Sequence, residues 1–180
     1  MKFEPGKKRY NDYPTFFKTL FQERVQKLSI DGGFICPNRD GSKGVGGCSF
    51  CNNESFNPDY CRAVRGITEQ IDEGIRFFAR KYKGQKYLAY FQAYSNTYAS
   101  LDVLKLRYEE ALAHPMISGL VIGTRPDVVS EEVLDYLEEL ARRYYVCVEY
   151  GVESVNDTVL RQVNRGHDFA VAEQAIRATA

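Results

Sequence analysis

The sequence predicts an α/β fold, a parallel sheet with helices packed outside it. Three observations predict it. Short apolar, strand-like runs start near positions 24, 87, 119 and 145, and amphipathic segments with helical spacing lie between them. The last two intervals are each about thirty residues, the length of one βα unit with a right-handed crossover. At 180 residues, with 44% apolar and 27% charged side chains, the chain suits one soluble globular domain with its own core.

Arg24 to Ile30 (RVQKLSI) alternates apolar and polar residues and is read as the first strand. Ile67, Ile71, Ile75, Phe78 and Tyr82 recur at helical spacing, with Thr68 near the start. Tyr87 to Tyr94 (YLAYFQAY) is aromatic and strand-like. Ser100 is placed to cap a helix that carries Leu101, Leu104, Tyr108 and Leu112 on one side. A buried strand follows from Gly119 to Gly123 and breaks at Pro126. Ser130 then caps a helix with Glu131 and Glu132 in its first turn and Arg142 and Arg143 in its last, as the helix dipole favours. The fourth strand begins at Tyr145 (YVCVEYGVES), and two short helices are expected from about Val155 to Val163 and from Asp168 onward. In parallel sheets function gathers at the carboxyl ends of the strands. The loop after Ile30, QAYSNTY, GTRPD and GVES all fall at that rim.

Lys plus Arg and Asp plus Glu number 24 each, so no overall field recruits nucleic acid. Residues 1–27 are an exception, with seven basic against three acidic residues beside Tyr10 and Tyr13. Residues 1–23 are read as a basic extension, solvated or able to meet RNA phosphates and bases. No secretory or membrane-spanning run is visible, and five cysteines without a leader point to a reducing cytoplasm.

Three of those cysteines, Cys36, Cys48 and Cys51, lie in one sixteen-residue loop, in the stretch GFICPNRDGSKGVGGCSFCN. Three thiolates leave a tetrahedral ion one ligand short, whereas a [4Fe–4S] cluster held by three cysteines presents its fourth iron to another molecule. Gly41, Gly44, Gly46 and Gly47 let the backbone adopt positive φ close to inorganic sulfide. A zinc site completed by Cys61 is the rival reading, although only Cys48 and Cys51 form a tight pair and Cys61 also reads as a small packing residue. Cys147 and His114 are expected to be structural. Glu149 is expected either to line the interior or to pair with Arg125. His167 is a candidate ligand or acid–base group, with Asp168 beside it a candidate helix cap.

Cys36, Cys48 and Cys51, with Phe50 before the last cysteine, resemble the cluster motif of radical S-adenosylmethionine (SAM) enzymes. The wide first gap resembles the Elongator catalytic-subunit-like branch. The stretches Cys36–Asn52, Phe91–Ala99, Ile122–Asp127 and Val163–Asp168 together resemble the YhcC/YtqA-like family, in that family's order and over nearly the whole chain.

The resemblance implies a (β/α)6 barrel of which residues 24–180 supply the first four βα units, stopping short of strands five and six. It implies that Cys36, Cys48 and Cys51 hold a [4Fe–4S] cluster, with SAM on the fourth iron. Phe50 would lie by the adenine. Tyr94, Ser95, Asn96 and Thr97 stand where the superfamily often carries a Gly-Gly-Glu segment, which this chain lacks; Tyr94 and Asn96 are taken as cofactor contacts. Glu153 would accept from the ribose hydroxyls, and Arg165 would fork onto the SAM carboxylate.

The implied chemistry is one-electron cleavage of SAM to a 5′-deoxyadenosyl radical that takes a hydrogen atom from substrate. The electron would come from a donor such as flavodoxin or ferredoxin. Kinship with the Elongator-like branch makes tRNA the expected substrate, at a wobble uridine. A small metabolite or tetrapyrrole is the alternative substrate, and a zinc-stabilised or inactive truncated binding module is the alternative of another class.

Overall fold

Four parallel strands in sequential order form the sheet of the computed structural model: β1 (Val25–Ile30), β2 (Lys86–Phe91), β3 (Ile117–Thr124) and β4 (Tyr145–Tyr150). Residues 10–55, 57–80 and 85–180 are described. Lys2, Lys7, Lys8, Arg9 and Tyr82, used in the sequence reading, lie outside the described residues. The pairing is in step across the upper sheet, where Tyr90 faces Ser29 and Val121, and Val121 faces Cys147.

Period-two alternation divides the strands between two layers. Leu28, Ile30, Tyr87, Ala89, Phe91, Leu120 and Ile122 point to one face, where α2 (Ile67–Ala79), α3 (Leu101–Leu112) and α4 (Glu131–Ala141) cover them. Ile67 and Ile71, Leu104 and Tyr108, and Val133 and Leu137 are the buried stripes of those helices. Each such large apolar side chain contributes about 1.5–3 kcal/mol by burial.

The opposite face carries Leu88, Val121, Tyr145 and Cys147, and it is covered by α1 (Tyr13–Phe21). The sequence reading had residues 1–23 as a basic extension; within it, residues 13–21 are instead a helix packed on the sheet. Asp12 caps α1 by accepting from the Thr15 N–H at 3.0 Å. Phe17, 2% exposed, packs edge-on to Tyr145 at 5.4 Å between ring centres.

Several boundaries differ from the sequence reading. β2 stops at Phe91 rather than Tyr94, because the Asn96 amide takes the Phe91 carbonyl at 3.0 Å and Tyr94 turns to φ +65°. β3 begins two residues earlier and ends one later than expected, after a register shift opposite Tyr87–Ala89. Ser130 caps α4 through the Val133 N–H as expected, whereas Ser100 stands at the N-cap of α3 without a side-chain bond. Arg142 is the C-cap of α4 and Arg143 lies beyond it, so neither sits in the last turn. The final pieces are α5 (Asp157–Gln162) and α6 (Phe169–Thr179), capped by Asn156 and Asp168.

Candidate cluster and cofactor site

A cavity of about 370 Å³ opens at the carboxyl ends of the strands. Cys36, Cys48 and Cys51 stand on its wall with Phe50, Tyr94, Glu153 and Arg165, so one hollow gathers seven of the eight site residues singled out from sequence. The exception is Asn96. It is fully buried behind the wall, its amide donating to the Phe91 and Gly123 carbonyls at 3.0 and 2.7 Å. Asn96 therefore does not face the cavity; it ties the end of β2 to β3.

The cysteine loop is wound tight by its own backbone. The Arg39 N–H donates to the Cys36 carbonyl at 2.8 Å, the Lys43 N–H to Pro37 at 2.9 Å, the Gly47 N–H to Asn38 at 2.8 Å, and the Cys51 N–H to Cys48 at 3.0 Å. Gly46 and Gly47 adopt φ near +80°, where a β-carbon is strained. A β-carbon on Gly47 would also come within 2.9 Å of Arg39 Nε. Phe34, 7% exposed, anchors the loop entrance against Phe91.

Three neighbours hold the loop to the rim. Asn38, fully buried, donates to the Asn164 carbonyl and lies 3.6 Å from Cys48 Sγ. Asn164 returns a bond to the Gly47 carbonyl at 2.9 Å. Lys43 reaches Asp127 at 2.7 Å, and Ser42 meets the Tyr98 hydroxyl at 2.9 Å.

Positive charge collects around the cysteines. Arg165, 6% exposed, places Nη1 3.6 Å from Cys48 Sγ and binds the Gly151 carbonyl. Arg39 donates to the Cys51 carbonyl at 3.2 Å and rests on the Tyr94 ring. Burial alone would lower the Arg125 pKa, but the Asp127 carboxylate, with Cys36 and Cys48 beyond it, raises it above the usual value. Among the described residues, Arg39 Nε, Asn53 Nδ2, Ser95 Oγ, Arg125 Nη1 and Arg165 Nε are buried on cavity-lining residues without a partner. Each unmet buried group costs about 1–3 kcal/mol. This many donors around one hollow fit an occupant rich in acceptors and negative charge, as a sulfide cluster and an aminoacyl carboxylate are.

Among the described residues no three His, Cys, Asp or Glu side chains, the three cysteines included, converge closely enough to hold a metal ion. Cys61 is 1% exposed outside this cavity, and burial pushes its pKa up to about 12, which keeps the thiol protonated.

Below the cysteines, Glu149 lines the cavity floor and pairs with Lys27 of β1, not with Arg125. Lys27 Nζ lies 4.5 and 4.4 Å from the centres of the Tyr13 and Tyr90 rings. Burial, then the Glu149 carboxylate, pushes the Tyr90 pKa far up. Cys147 lies half-buried on this inner face rather than in the larger core. His167 faces a separate hollow with Gly166 and Asp168, its Nδ1 2.9 Å from the Asp168 carbonyl. His114 is fixed by Asp72 at 3.2 Å and by the Met116 N–H.

The sequence reading missed Asn38 and Arg39 as parts of the site, and it mentioned Arg125 only as a partner for Glu149. All three stand inside the quoted CPNRDG and IGTRPD segments, so the signal was present, but their contacts exist only once the rim is assembled.

The structure is a partial parallel βα barrel with a three-cysteine, arginine-lined hollow at its carboxyl rim. Residues 35–180 match the family model described as the radical SAM superfamily. Protein YhcC of Escherichia coli K12 is 45% identical over 151 residues, 83% of this chain and 48% of that protein. The uncharacterized proteins YtqA of Bacillus subtilis and MJ0486 of Methanocaldococcus jannaschii are 38% and 33% identical, over 90% and 93% of this chain and 50% and 52% of theirs. The chain belongs to the radical SAM superfamily, an enzyme family, and within it to the YhcC/YtqA-like family. It spans about half the length of these relatives.

Proposed function

We propose that the whole protein is a radical SAM enzyme that acts on tRNA at a wobble uridine. The observation that supports the cluster assignment is three cysteines on one cavity whose lining residues also carry buried donors without a partner among the described residues. When bound, the cluster and SAM would supply reductive cleavage of the sulfonium and a 5′-deoxyadenosyl radical for hydrogen abstraction.

The chain's own side chains would do the rest. Cys36, Cys48 and Cys51 would hold three irons. Arg165 would fork onto the SAM carboxylate, Glu153 would accept from the ribose hydroxyls, and Phe50 and Tyr94 would flank the adenosine. Glu149 and Lys27 would meet the substrate from below, at the floor of the same cavity. A low-potential donor of the flavodoxin or ferredoxin type would deliver the electron, and the reaction would take place in the cytoplasm. Among the described residues no helix is long and apolar enough to cross a membrane.

The tRNA assignment rests on the resemblance to the Elongator-like branch. Its test is mass spectrometry of tRNA nucleosides from deletion and parent strains, where one modified uridine should disappear. Unchanged nucleosides would turn the reading to a small metabolite or tetrapyrrole. Anaerobic reconstitution of the intact protein, followed by dithionite and SAM, should yield 5′-deoxyadenosine; its absence from iron-loaded protein would refute the enzyme reading.

A further inference from the structure

Arg125, just past β3, is 2% exposed, and the roles above leave it unused. Asp127 accepts from its Nε and Nη2, each at 2.9 Å. Lys43, from the cysteine loop, binds the same carboxylate at 2.7 Å. The guanidinium is thereby fixed on two nitrogens, and a planar fork so held cannot swing away to another acceptor. Among the described residues its remaining Nη1 has no partner; it is buried, on a residue that lines the cysteine cavity. The other side is closed, since a β-carbon on Gly166 would already lie 3.4 Å from Nη2. Cys36 and Cys48 line the same cavity as Arg125. Lys43 offsets Asp127, so the trio carries a net positive charge, and the Nη1 amino group is left to an acceptor in the cavity that Cys36 and Cys48 also line.

We propose that Arg125 Nη1 donates to the sulfur layer of the cluster beside Cys36 and Cys48, with Asp127 and Lys43 positioning it, and that this contact raises the cluster's reduction potential. The inference rests on the cluster assignment above. Reduction adds one electron, from the external low-potential donor, and no proton is required. A fixed cation and N–H donor stabilise the more negative reduced state more than the oxidised one.

The test uses the intact natural protein with its cluster reconstituted anaerobically, and it reads iron content and the midpoint potential by EPR-monitored titration. Arg125→Gln should keep its iron while the reduced-to-oxidised ratio at a fixed poise falls about tenfold, a midpoint about 59 mV lower for one electron. Arg125→Lys, which keeps the charge but not the fork, should fall between. The Arg125→Gln/Asp127→Asn pair restores a neutral packing and should keep the lowered potential. If Arg125 merely props the loop, the pair returns to the wild-type potential, and that result overturns the proposal, as does an unchanged potential in iron-loaded Arg125→Gln.

Should the glutamine variants lose iron, ¹⁵N-arginine labelling decides without them. In an Arg165→Lys background the reduced cluster should show hyperfine coupling to a guanidinium nitrogen, and no such coupling refutes the contact. Colourless, iron-free wild-type protein would instead sink the cluster reading itself, so the two failures are distinguishable.

Discussion

Asn38 shows how much of the site hangs on single polar atoms. Its buried amide joins the cysteine loop to Asn164 and faces Cys48 Sγ. Asn38→Ala strands the Asn164 carbonyl and should cost about 1–3 kcal/mol in urea unfolding, with weaker iron retention. Cys61→Ala touches none of this, and iron per chain should stay unchanged for about 1 kcal/mol of lost stability; a loss of metal would bring the zinc reading back. Asp127 gives a pH signature. Burial pushes its pKa up, yet Arg125 and Lys43 outweigh that and hold it below the ordinary 3.8. A depressed carboxyl contributes stability that is present above its unfolded value and is lost as pH falls through the folded one. Urea midpoints should therefore drop below about pH 4, and Asp127→Asn should flatten that slope. At this scale the three cysteines were legible, because metal chemistry requires their residue type and number. Arg39 and Arg125 were not, because arginines are common at surfaces; burial marks out Arg125, and Arg39 is marked only by its contacts with the Cys51 carbonyl and the Tyr94 ring.

Among the elements, the βα rhythm was legible because period-two and period-3.6 apolar patterns leave their mark on the sequence. Helix α1 was not read, although Asp12 followed by Pro14, and Tyr13, Phe17 and Phe21 four residues apart, were visible signals. The local excess of basic residues outweighed them, and the partner that gives α1 a reason to fold, the inner face at Tyr145 and Val121, is distant in sequence. Phe17→Ala should cost about 3 kcal/mol by urea unfolding, the scale of a buried ring lost from a core; an effect near zero would mean that α1 is not docked. The β3–β4 contact has its own test. A β-carbon on Gly119 would meet the Tyr145 carbonyl oxygen at 2.1 Å, backbone that cannot step aside. Gly119→Ala should therefore destabilise by about 1–3 kcal/mol.

For the whole molecule, the architecture brings these residues to one place. The carboxyl rim of a parallel sheet brings four loops, far apart in sequence, to one cavity, and the inner face beneath them carries the Lys27–Glu149 pair. Sequence alone indicated the rim, since strand order and direction follow from βα connections. The polar floor needed the assembled sheet, because Lys27 and Glu149 lie 122 positions apart. The central claim is that three cysteines hold a cluster whose remaining iron is open to SAM. The most direct measurement is the EPR spectrum of the dithionite-reduced, reconstituted intact protein before and after SAM is added. A low-spin [4Fe–4S] signal that changes shape on addition is the predicted result. A signal indifferent to SAM, or a protein that takes up one zinc and no iron, would contradict it.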